Sequence, residues 1–274
     1  MNAVDDQVVE NRKPYGRQIA LGVIALAAIL IVLLVYATRG GSGKPKDEEL
    51  NMPRDYVYTR FVASNGMEMH VLRTRPSNVT LQEIDNNVSI SPYYGVNGGF
   101  FYQQALLSIA VVNDKPVNEV AGTYGDGSTN VKYARGTLVW DGATDRLTVQ
   151  IAGATKELAV TDRLRYWAQG GISMSLDRDD LWLERIAAEN APYPFEDRLR
   201  SAAVYDADGN LYLIVGTTKG TLADFREAIV EQIGEGRLEN GIFLDGDGSS
   251  QLRSREIKLS GDGRPVVQML ALIR

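Results

Sequence analysis

The segment Gly241-Ile242-Phe243-Leu244-Asp245-Gly246-Asp247-Gly248-Ser249-Ser250-Gln251-Leu252 runs from a short apolar stretch into a carboxylate and then a loop of small polar residues. A strand that ends this way sets Asp245 among hydroxyls and free backbone N–H groups, and such strand-end loops are where sites are usually built. Two further glycine-rich segments stand upstream, Gly95-Val96-Asn97-Gly98-Gly99-Phe100-Phe101 and Gln169-Gly170-Gly171-Ile172-Ser173. Adjacent glycines let a backbone approach a ligand closely and turn its N–H groups toward an anion. The plainer reading of both is a turn that needs positive φ. Arg200, just ahead of an apolar run, is placed either to clamp a phosphate with its planar fork or to sit as an ordinary surface arginine.

The acidic loop also admits a metal reading. With Asp245 as the first position, Asp247, Ser249, Gln251 and Glu256 fall where a calcium loop carries ligands. Ser250 stands where that loop needs glycine, Arg253 occupies a ligand position, and a strand rather than a helix leads in, so an EF-hand is not expected. A divalent cation near Asp245 and Asp247 remains compatible with the residue types; no other cofactor or metal ion is expected. Asp206-Ala207-Asp208-Gly209-Asn210 looks similar, but Asp-Gly between two apolar runs reads as a hairpin turn. His70 alternates with Met67 and Met69 and reads as a partly exposed structural histidine. A Ser-His-Asp triad built on it would lack the Gly-x-Ser-x-Gly elbow.

Composition narrows the chemistry. The 274 residues include 27 glycines, a single histidine and no cysteine. Disulfides, thiolate metal sites and a cysteine nucleophile are excluded. A net charge of −6 argues against a nucleic-acid partner, which would need a basic face. Residues 18–38 carry no charge, and the run IALGVIALAAILIVLLVYA is long enough to cross a bilayer as a helix. It reads as a single-pass signal anchor behind a short cytoplasmic tail (1–17); a cleaved signal peptide ending near Val35-Tyr36-Ala37 is the competing reading. Residues 39–54 read as a flexible linker, and 55–274 as one domain, exported to the extracytoplasmic side. Nothing in the pattern specifies an oligomer.

Positioning the candidate residues falls to short alternating runs. Strands are predicted at 56–62, 67–73, 106–113, 136–141, 147–151, 201–205, 211–215, 242–244 and 266–273. One helix is well marked. Thr221 and Asp224 form a capping-box pattern, Leu222, Phe225, Ile229 and Ile233 recur at helical spacing, and Gly234 ends it. A weaker helix is predicted over 181–190. The fold class is therefore α+β: one mixed or antiparallel-sheet domain with a few helices, behind the transmembrane helix.

In their order, Asn97-Gly98-Gly99-Phe100-Phe101, Gly170-Gly171, Arg200-Ser201-Ala202 with its Asp-Gly hairpin, the helix 222–233 and Leu244-Asp245-Gly246-Asp247-Gly248-Ser249-Ser250 resemble the phosphodiester glycosidase family over about residues 55–274. Asp247 departs from the family pattern, which usually has a third glycine there. The extra carboxylate would repel a phosphate, recruit a cation or face water. The resemblance implies hydrolysis of a sugar-1-phosphodiester at the glycosidic C1–O bond, in a cell-envelope or polysaccharide substrate. It assigns water activation or oxocarbenium stabilisation to Asp245, and phosphate stabilisation to Arg200 and the N–H groups of Gly98 and Gly99. Asn97, Ser249 and Ser250 would hydrogen-bond sugar or phosphate, with Phe100, Gly170, Gly171 and Asp247 completing the substrate site. A non-catalytic phosphoglycan-binding module and a cation-dependent surface domain are the alternatives.

Overall fold

The computed structural model describes residues 52, 53, 55–118 and 122–274. The segment 18–38 lies outside them, as do the tail and most of the linker; among the described residues no helix is long and apolar enough to cross a membrane. Among the described residues all strand pairings are antiparallel. A six-stranded sheet runs Val57–Val62, Glu68–Thr74, Leu211–Gly216, Ser201–Asp206, Leu238–Phe243, Ile172–Ser173. A five-stranded sheet runs Arg146–Ala152, Arg135–Asp141, Tyr166–Gly170, Ala110–Val112, Lys115–Pro116. The other five-stranded sheet runs Lys258–Leu259, Leu252–Arg253, Gly95–Asn97, Val266–Leu272, Val79–Asn86. Phe101–Tyr102 and Ala105–Leu106 form a small ribbon.

The large sheet separates two cores because side chains alternate along a strand. Leu211, Leu213 and Val215 point to one face and pack with Val96, Trp167 and Leu270 of the other sheets. Their neighbours Tyr212 and Ile214 point to the opposite face, under Phe225 and Ile229 of a helix. A strand with both faces covered has no polar alternation, which is why Leu211–Gly216 is buried throughout.

Two α-helices are present among the described residues, α1 (Trp182–Ala188) and α2 (Leu222–Gln232). The capping box of α2 forms as its sequence predicts: the Thr221 N–H donates to the Asp224 carboxylate at 2.9 Å, and the Asp224 N–H to the Thr221 hydroxyl at 3.1 Å. Thr221→Ala should lower stability by about 1 kcal/mol, read from urea unfolding; an unchanged midpoint would show that packing alone sets where α2 begins.

Three expectations are corrected. The predicted strand over 106–113 is broken into Ala105–Leu106 and Ala110–Val112. Between them the Leu107 N–H turns to the Phe100 carbonyl and the Ile109 N–H to the Asn130 side chain. Gly95–Asn97 is a central strand, not a turn, held between Leu252–Arg253 and Val266–Leu272. His70 is buried: Nδ1 lies 2.8 Å from the Tyr58 hydroxyl, Nε2 lies 3.2 Å from the Glu68 carboxylate, and burial lowers its pKa. The Asp-Gly hairpin is present, its Asp206 carboxylate accepting from the Asp208 and Asn210 N–H groups and the Tyr212 hydroxyl.

Candidate active site

Asp245 follows the strand Leu238–Phe243 at the point where that strand leaves the large sheet. Its backbone is pinned on both sides by the neighbouring sheet: the Asp245 N–H donates to the Gly98 carbonyl at 3.1 Å, and its carbonyl accepts from Asn97 Nδ2 at 2.8 Å. The side chain enters a cleft of about 190 Å³. Phe100, Ile172, Pro192, Leu222, Phe243 and Leu244 supply its apolar surface; Tyr193, Arg198, Arg200, Asp247, Ser249 and Arg264 supply its polar rim. Phe100 is braced from behind by the Arg135 guanidinium, 5.2 Å from the ring centre.

Burial against that apolar surface pushes the Asp245 carboxyl up from 3.8 to about 6. The Ser249 hydroxyl and the Gly246 N–H, which hydrogen-bond it, and the Arg264 guanidinium pull the other way, while Asp247 adds to the rise. Arg200 is buried, and burial followed by the like charge of Arg198 brings its pKa down to about 10. Its Nε donates to the Gly220 carbonyl at 3.1 Å and its Nη2 to the Tyr193 and Glu196 carbonyls at 2.7 Å each. Nη1 has no hydrogen-bond partner among the described residues, leaving it as the donor available to a ligand.

The loop after Asp245 explains its own composition. Asp247 has φ +53°, in the left-handed region where glycine is at ease and aspartate is tolerated. Its N–H donates to the Leu199 carbonyl at 2.7 Å, and its carboxylate meets Arg198 Nη1 at 2.7 Å. The calcium-loop pattern does not assemble. Beyond Asp247's ion pair, Gln251 Oε1 accepts from the Val88 N–H, and Glu256 accepts from the Tyr56 hydroxyl. Among the described residues no group of three or more His, Cys, Asp or Glu converges as a metal site.

The structure brings together Asp245, Arg200, Phe100, Asp247 and Ser249, and sets the other candidates apart. Asn97 is not free for a ligand: both hydrogens of Nδ2 go to the Asp245 and Gly98 carbonyls, and Oδ1 accepts from the Ser201 hydroxyl and the Gln251 N–H. It positions the Asp245 loop. The Gly98 N–H is spent on the Gln268 carbonyl at 2.9 Å, so it is no phosphate donor. Glycine there leaves room for the buried Gln268 side chain, whose Oε1 would lie 1.8 Å from an added Cβ. The two Gly-Gly segments meet each other, not the cleft: a Cβ on Gly99 would lie 2.6 Å from the Gly170 carbonyl oxygen. Gly171 lets the chain pass the Phe243 carbonyl, where a Cβ would sit 2.2 Å from the oxygen. Gly171→Ala should therefore cost about 3 kcal/mol by overpacking, measured by urea unfolding; a cost under about 0.5 kcal/mol would show the ladder gives way there. Ser250 is buried off the cleft, its hydroxyl without a partner.

Sequence reading missed Tyr193, Arg198 and Arg264. For Arg198 the signal was present, since residues two apart in extended chain share a face and Arg200 was already a candidate. Tyr193 and Arg264 lie in segments that only tertiary contacts bring to the cleft.

A strand-end carboxylate over an apolar cleft, in an all-antiparallel sheet fold, defines the class of site. No protein-family model matches the sequence, and no curated protein gives a significant match. Solved structures do. The zebrafish N-acetylglucosamine-1-phosphodiester alpha-N-acetylglucosaminidase catalytic domain, auto-inhibited by its pro-peptide, matches with TM-score 0.57 at 15% identity over 85% of each chain. A hypothetical protein from Synechocystis matches with TM-score 0.46 at 12% identity, over 79% of this chain and 61% of that one. The first shares the fold of this chain.

Proposed function

We propose that this protein hydrolyses the glycosidic C1–O bond of a sugar-1-phosphodiester. The carrying observation is that Asp245, at the strand end predicted for it, shares a cleft with a buried guanidinium that keeps one donor unused. The fold shared with a phosphodiester glycosidase catalytic domain supports the same reading. Phe100 and Tyr193 line the cleft where the apolar side of a sugar ring would lie, and Arg200 Nη1 offers a hydrogen bond to phosphate oxygen. As the C1–O bond breaks, its electron pair goes to the phosphate oxygen, which is a good enough leaving group to need no strong acid. Water adds through oxygen to C1, and its proton passes through the Asp245 carboxylate to solvent. The same carboxylate faces the positive charge that develops on the ring. The run 18–38 would tether this activity to the membrane, facing a cell-envelope or polysaccharide phosphodiester.

A base must be ionised. With Asp245 near 6, kcat/KM should fall about tenfold per unit below pH 6 and level off above it. The test is sugar release by the purified full chain from a panel of sugar-1-phosphodiesters, UDP-N-acetylglucosamine included, as a function of pH. A profile that instead declines above pH 6 would make Asp245 the proton donor. Binding of the panel without release of sugar would establish a phosphoglycan-binding module in place of an enzyme.

A further inference from the structure

Three guanidiniums face the cleft, and they differ in what already holds them. Arg198 Nη1 pairs with Asp247 at 2.7 Å, its Nη2 and Nε reach Glu196 at 2.7 and 3.2 Å, and its guanidinium carbon lies 4.6 Å from the centre of the Tyr193 ring. Arg264 is forked onto Asp262 through Nε at 2.9 Å and through Nη2. Arg200 alone is held by neutral carbonyls, which take up its hydrogen bonds and leave its charge. Counting Asp245, four carboxylates meet these three guanidiniums, so the mouth carries no net positive charge.

We infer that Asp247, by holding Arg198, makes the cleft selective for singly charged phosphates over doubly charged ones. This rests on the glycosidase reading above and names the charge class its site takes. A monoanion is matched by Arg200. The second negative charge of a phosphomonoester finds no free cation and faces the Asp247 and Asp245 side chains. The consequence for turnover is direct. A phosphodiester enters with one charge, and cleavage at C1–O leaves a monoester whose second ionisation lies near pH 6, a dianion at neutral pH. The product thus gains the charge that the mouth rejects, and it is released.

The test is calorimetric titration of the full chain at pH 8 with two probes, dimethyl phosphate (one charge) and inorganic phosphate (mostly two). Wild type should bind dimethyl phosphate more tightly. Asp247→Asn keeps a residue that tolerates the left-handed backbone and releases Arg198 Nη1 from its carboxylate, while Glu196 still holds Nη2 and Nε. It should tighten inorganic phosphate roughly tenfold or more and dimethyl phosphate by less. Adding Arg198→Gln should take that gain away. The inference is overturned if wild type prefers inorganic phosphate, if Asp247→Asn leaves the ratio of the two affinities unchanged, or if no variant binds either anion. It is also overturned if the double variant keeps the gain, since Asp247 would then act by its own charge and not through Arg198. None of these readings uses hydrolysis. Binding in the expected order without sugar release would uphold the charge selectivity and remove only the glycosidase reading.

Discussion

Replacing Asp245 with asparagine should abolish sugar release, by a factor of about 10³ or more, while making the folded protein more stable at neutral pH. The two effects have one cause. The carboxyl sits at about 6 in the fold against 3.8 ordinarily, because ionising it in the apolar cleft is unfavourable. Between those values the folded chain binds more protons than the unfolded chain, so stability falls as pH rises through the window. Well above pH 6 the whole penalty is in place, about 3 kcal/mol. Asparagine has the shape without the charge and escapes that penalty. Urea midpoints at pH 7.5 should favour the variant, and the two proteins should converge near pH 4, where Asp245 is neutral in the fold. A variant that still releases sugar would remove Asp245 from the chemistry. A variant less stable at pH 7.5 would show the carboxylate to be a structural partner of Ser249 and Arg264, not a strained catalytic group.

Where a residue's role is set by its own neighbours in sequence, it was legible. The capping box of α2, the Asp206–Asn210 turn and the strand that delivers Asp245 each follow from a few consecutive residues. The glycines show the limit. Two adjacent glycines signal a close approach of backbone, but sequence does not say to what. Gly98 and Gly99 approach Gln268, Gln169 and Gly170, which stand far away in the chain, and no ligand. Asn97 fails for the same reason: an asparagine beside glycines looks available, and only the fold shows all four of its hydrogen-bonding positions taken. His70 was misjudged because alternation within one strand reports the face and not whether a neighbour covers it. Tyr58, on the adjacent strand Val57–Val62, reaches across to hydrogen-bond its ring. Asp247 is the reverse case, since its departure from glycine was visible while its meaning required both the positive φ and the partner, Arg198.

Arg200 should prove to be two residues in one, an anchor and a ligand donor, and its substitutions should separate the roles. Through three carbonyls it ties Gly220, just ahead of α2, to the turn at Tyr193 and Glu196 that forms one wall of the cleft. Tyr193 is itself in the left-handed region, φ +47°, a conformation that persists only where the surroundings hold it. Arg200→Met fills the space but leaves the Glu196 carbonyl without a donor and takes the charged donor from the Gly220 and Tyr193 carbonyls, which keep only the Arg198 N–H at 3.1 Å and the Glu196 N–H at 3.4 Å. The expected loss is about 3 kcal/mol of stability, together with loss of detectable turnover. Arg200→Lys keeps the charge in place and loses the fork, because one ammonium cannot span Gly220 on one side and the Tyr193–Glu196 turn on the other. It should recover part of the stability while kcat/KM stays down by about a hundredfold, roughly 3 kcal/mol of transition-state stabilisation. Urea unfolding and kcat/KM on both variants decide it. Full activity in the lysine variant would mean that charge alone matters and the fork does not. An Arg200→Met protein as stable as wild type would mean that the wall of the cleft stands without its anchor, and the unused Nη1 would then be the whole of Arg200's contribution.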